Sequence, residues 1–154
     1  MKSRSKLLVI VFSAVSLVGG VLVAAEPAER TYWVQLVRGT TDKQPPSSDC
    51  KPIGPKISKT FLPVFKWSHY WEMNRQEVKV AVGDKKMVRL NQQRSIEIDL
   101  TNITKRKVTA FEGDKPVFKV VDPIGNAMSI IGGDRDTNSS WFIVVRRDKP
   151  SDGI

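Results

Sequence analysis

The chain has 154 residues, with 25 lysines and arginines, 16 acids, one histidine and one cysteine. That inventory excludes several chemistries at once: one cysteine permits no intramolecular disulfide, and one histidine with one cysteine falls short of a zinc set. No glycine-rich phosphate loop follows a strand, so nucleotide cofactors lack support, and the formal charge of +9 points to anionic partners whose kind depends on the compartment.

Residues 1–25 read as a secretory signal. Lys2, Arg4 and Lys6 form a positive start, the run that opens at Leu7 and closes at Ala25 carries no charge, and Val23-Ala24-Ala25 places small residues where a signal peptidase reads them. The alternative is an uncleaved anchor, since residues 7–25 fall within the roughly 17–25 residues of a spanning helix. Gly19-Gly20, Ser13, Ser16 and the small-residue pattern stand against it. Cleavage leaves residues 26–154 as a single domain with 22 basic residues against 16 acids. The expected location is periplasmic or secreted, with membrane attachment only if residues 7–25 are retained. The expected partner is a cell-envelope protein or an anionic glycan rather than nucleic acid.

The first strand is expected over residues 30–38, where Tyr32, Val34 and Leu36 alternate with Trp33, Gln35 and Val37. Residues 39–60 read as a proline-rich loop, with Pro45, Pro46, Pro52 and Pro55 as its punctuation. From Phe61 to Met73 the odd positions form a continuous row, Phe61, Pro63, Phe65, Trp67, His69, Trp71 and Met73, which predicts one strand with an aromatic face. Residues 76–82 and 87–90, joined by Gly83-Asp84-Lys85, predict a hairpin.

Residues 94–101 alternate Ile96, Ile98 and Leu100 with Ser95, Glu97 and Asp99, the pattern of a strand with one wet face. A second hairpin is expected between residues 106–112 and 116–122 around Gly113-Asp114-Lys115, followed by short strands at 128–131 and 141–147 and a polar loop between them. No window of 11 residues after residue 25 repeats apolar residues at helical spacing. The expected fold is therefore all-β, an antiparallel β-sandwich of eight or nine strands preceded by the signal helix, with a partly closed β-barrel as the alternative.

Candidate chemistry is sparse. His69 and Ser68 would point to opposite faces of a strand, so their adjacency makes no catalytic dyad. A small hydrolase acting on envelope polymers would need His69, or two of Glu97, Asp99, Glu112 and Asp114, gathered across a cleft. Asp134, Asp136 and Asn138 match the opening of a calcium loop and suggest calcium-dependent adhesion, although Ser139 and Val145 stand where that loop requires glycine and glutamate. Calcium is the one cofactor the residues suggest. Phe65, Trp67, His69 and Trp71 are the candidate binding row, since exposed aromatic faces stack on sugars or anchor proteins. The favoured reading is a non-enzymatic exported module that binds or scaffolds an envelope protein or glycan.

Overall fold

Nine strands and one short helix form the described part of the chain, residues 28–132 and 137–151 of the computed structural model. The export segment, Asp134 and Asp136 lie outside the described residues.

Strand β1 (Glu29–Thr40) turns Tyr32, Val34 and Leu36 to one side, as its period-two pattern requires. It pairs antiparallel with β3 (His69–Ala81) on one flank and with β9 (Ser139–Arg146) on the other. The two-residue β2 (Lys51–Pro52) adds outside β3, and β8 (Met128–Gly132) outside β9, giving a sheet ordered β2-β3-β1-β9-β8. Strands β4 (Lys85–Arg89), β5 (Arg94–Asp99), β6 (Lys105–Glu112) and β7 (Lys115–Pro123) form a second antiparallel sheet in chain order. The two sheets close no barrel among the described residues.

Between the sheets, Tyr32, Val34, Val78, Val80 and Ile143 meet Ile96, Ile98, Leu100, Val108 and Ala110 in a single buried cluster. Removing these faces from water is the main source of stability, at roughly 25 cal/mol per Å² of apolar surface. The arrangement is sandwich-like, with one charged exception inside. Arg106 is fully buried, its guanidinium 5.2 Å from the centre of the Tyr32 ring, donating to the Asn126 carbonyl and to Ser129 Oγ, with the Asp122 carboxylate 3.7 Å away. An interior charge persists only when paired and hydrogen-bonded, and these partners tie β6 of one sheet to β8 of the other.

Helix α1 (Pro55–Phe61) covers the opposite face of the five-stranded sheet. Pro55 presets the backbone of its first turn, and Ile57 and Phe61, four residues apart, place two apolar side chains on one side. Seven residues are too few for a stable isolated helix; burial against Val37, Phe142 and Val144 holds it.

This corrects the expectation of a loop through residue 60 and of one strand from Phe61 to Met73. Phe61 ends the helix, its carbonyl accepts from the Val64 and Phe65 amides in a tight turn, and the strand begins only at His69. A helix end followed by a turn gathers Phe61, Phe65 and Trp67 into one cluster, imitating strand alternation.

The expected hairpin at Gly83 is also corrected. Gly83, at φ +95°, carries the chain from one sheet to the other: β3 stays with β1 while β4 pairs with β5. Val78 and Val80 on β3 and Val88 on β4 enter the same core from opposite sides, which a flat hairpin would not allow. Side chains bridge the corner, Asn74 Nδ2 donating to the Leu90 carbonyl at 2.7 Å and Gln76 Nε2 to the Arg89 carbonyl at 2.6 Å. The second hairpin, β6–β7, forms as expected around Gly113, with a bulge between Ala110 and Phe111.

Candidate functional site

One end of the two-sheet body collects the end of β1, the start of β9, the β4–β5 and β6–β7 turns, and residues 41–46. Three adjoining depressions cross it. The first, about 460 Å³, is lined by Arg38, Thr40, Asp42, Lys43, Gln44 and the two prolines after it. The second, about 270 Å³, shares Arg38 and adds Asn91, Gln93, Arg94 and Trp141 over a floor of Leu36 and Met73. The third, about 230 Å³, shares Asn91, Gln93 and Arg94 and runs onto Met87, Arg89 and Ser95. Shared walls make them one groove.

Local chemistry fixes its donors. Asn91 Oδ1 accepts from the backbone amides of Gln93 and Arg94 at 2.9 and 2.7 Å, so the β4–β5 turn is held by a side chain that mimics the backbone. Arg89 folds over the same turn and donates to the carbonyls of Asn91 and Gln92, both at 3.1 Å. The Arg94 guanidinium lies 4.6 Å from the Trp141 ring centre and donates to Gln93 Oε1 at 3.3 Å. Stacking of this kind orients a guanidinium plane. Phe118 meets the same indole edge-on at 5.8 Å. Arg38 donates to Ser139 Oγ at 2.9 Å. Among the described lining stand four cations, Arg38, Lys43, Arg89 and Arg94, and two acids, Asp42 and Asp114, at opposite ends.

The aromatic row singled out in the sequence is divided between two faces of the five-stranded sheet. Trp67 is buried at 5% exposure, and Phe65 packs against Phe61 and Phe142 at ring-centre distances of 5.2 and 4.6 Å. Both belong to the cluster under α1. His69 and Trp71 are half-buried and pair with Thr40 and Arg38; directly opposed residues share a face, so these two stand on the side of β1 that leads to the groove.

Of the candidate carboxylates, Asp114 lines the third depression and Glu112 ends β6 beside it, opposite Arg94, while Glu97 and Asp99 lie elsewhere. Glu97 pairs with Lys85 at 3.5 Å, and Asp99 with Lys107, on the outward face of the four-stranded sheet. The Lys107 ammonium, helped by the Thr101 hydroxyl and amide, holds the Asp99 carboxyl well below the usual carboxylate range, and the same bond pushes Lys107 up. Asp99 is buried rather than wet, a departure from the alternation pattern. Of the calcium-loop residues only Asn138 is described, and it is exposed. Among the described residues no three histidine, cysteine or acidic side chains are grouped to hold a metal. Cys50 is buried beside Ser47 Oγ at 3.2 Å.

Arg38, Lys43, Asn91, Gln93 and Arg94 went unselected in the sequence because each looked like ordinary loop or strand-end chemistry. The available signal was the run Arg89-Leu90-Asn91-Gln92-Gln93-Arg94, rich in donors and without an acid. Compared with known protein families, curated proteins and solved structures, the chain shows no match.

Proposed function

We propose that the protein is a non-enzymatic exported module, a β-sandwich delivered by residues 1–25 as its signal helix, that binds an anionic glycan of the cell envelope along the end groove. The observation that carries this reading is the continuity of the three depressions through Arg38 and through the Asn91–Gln93–Arg94 corner. A row of depressions suits an extended chain better than a small molecule, and a lining of oriented guanidinium and amide donors suits carboxylate or sulfate groups. His69, Glu97 and Asp99 are not among the lining residues, and the two acids that are, Asp42 and Asp114, stand at opposite ends of the groove, an arrangement that favours recognition over paired acid–base chemistry.

Titration with an oligogalacturonate and with the neutral galactose oligomer of equal length tests the reading. Binding of the acidic oligomer that weakens with salt, and falls about tenfold in Arg38→Ala with partial recovery in Arg38→Lys, is the expected result. Equal binding of the neutral oligomer, or an Arg38→Ala variant that binds like the parent, would remove it.

A further inference from the structure

We infer that the outward face of the four-stranded sheet is a peripheral docking surface for an anionic phospholipid bilayer. Strand register lays this face out in rows. Lys85, Asp99, Lys107 and Val121 lie across the sheet in one row, and Met87, Glu97, Thr109 and Lys119 in the next. Apart from Asp99, every outward side chain of these rows is exposed or half-buried.

The two acids on the face are already neutralised, Asp99 by Lys107 and Glu97 by Lys85. Lys105 and Lys119, both exposed, have no acidic partner among the described residues. The face therefore presents a surplus of positive charge to an approaching surface. Met87 and Val121, 53% and 50% exposed, stand among these lysines. A soluble polyanion has use for the charges alone. A bilayer interface takes both, lysines at the headgroups and apolar side chains at the acyl boundary. That mixture on an open, sheet-wide face favours lipid.

Co-sedimentation of the full chain with vesicles of phosphatidylglycerol and phosphatidylcholine, and with phosphatidylcholine alone, tests the inference. The readout is the ratio of the two partition coefficients compared between variants, since the basic start at Lys2, Arg4 and Lys6 adds the same anionic preference to every one of them. Preference for the anionic vesicles is expected, falling at least about tenfold in Lys105→Glu/Lys119→Glu and several-fold in Val121→Ser, which alters no charge. Arg38→Ala, in the groove, should leave the ratio unchanged, so failure here is separable from failure of the glycan reading. All these positions are exposed or half-buried, and unchanged urea midpoints would show that the variants fold. No preference for anionic vesicles, or a preference that the double variant leaves undiminished, overturns the inference. Loss of binding in the double variant with Val121→Ser unaffected, and full displacement by dextran sulfate, would assign the face to a polymer instead.

Discussion

The two sheets treat their outer faces in opposite ways. The five-stranded sheet carries Val37, Phe142 and Val144 outward and buries them under α1 and the turn after it. The four-stranded sheet carries lysines, threonine and glutamate outward and leaves them in water. Coverage follows composition: apolar outward residues demand a lid, and paired charges do not. The same sheet also buries polar groups. Gln35, fully buried, donates to Glu72, and Arg75 approaches Glu72 Oε1 at 2.9 Å. Asp148 then fastens the chain end to both layers, bonding Lys56 of α1 at 2.7 Å and Arg146 of β9.

The largest expected contrast comes from apolar truncation on each face. Phe61→Ala should cost about 3–5 kcal/mol, since its ring meets Phe65, Tyr70 and Phe142 and is fully buried. Met87→Ala should change urea stability by no more than about 0.5 kcal/mol. Comparable losses would mean that α1 covers the sheet without stabilising it.

Truncating carboxylates sharpens the contrast at a lower level. Glu72→Ala removes the acceptor of the fully buried Gln35 amide, and denaturant melts should show a loss of about 1–3 kcal/mol. Glu97→Ala removes an ion pair whose lysine is mostly exposed, an effect below about 1 kcal/mol. Gly39 tests how closely the lid is seated: a Cβ there would stand 2.6 Å from Trp67 Cδ1. Gly39→Ala should therefore destabilise by about 1–3 kcal/mol, with a shift in tryptophan emission.

Acid should act on both faces, with the smallest effect per residue. Asp99 and Asp148 are both held below the usual carboxylate range, by Lys107 and Arg146 respectively. A depressed folded value means the stabilisation is complete above the unfolded value near ~4 and drains away as pH falls from there through the folded value. Urea melts between neutral pH and the acid range should show that loss, reduced in Asp99→Asn; a variant with the parent's full acid slope would contradict the assignment.

Strands with one buried side were legible from alternation, as at Ile96, Ile98 and Leu100, because a half-buried strand writes its environment in a period of two. The helix was not, since seven residues give only Ile57 and Phe61 as an apolar pair, and tertiary burial rather than periodicity makes it. The turn at Gly83 could not reveal whether it joined strands in one sheet or across two, because inward valines on both flanks fit either case. Phe65 and Trp67 looked like a binding surface for the same reason that they are core: large aromatic side chains serve both. The groove was invisible because Arg38, Asn91 and Arg94 meet only through pairing between distant segments.

The central claim is that recognition belongs to the end groove and not to the aromatic row. Amide chemical-shift mapping with an oligogalacturonate tests it most directly. The account predicts perturbations at Arg38, Lys43, Asn91, Gln93 and Arg94, with the amides of Phe61, Phe65 and Trp67 unmoved. Perturbations centred on Phe65 and Trp67, or none at saturating oligomer, would contradict it.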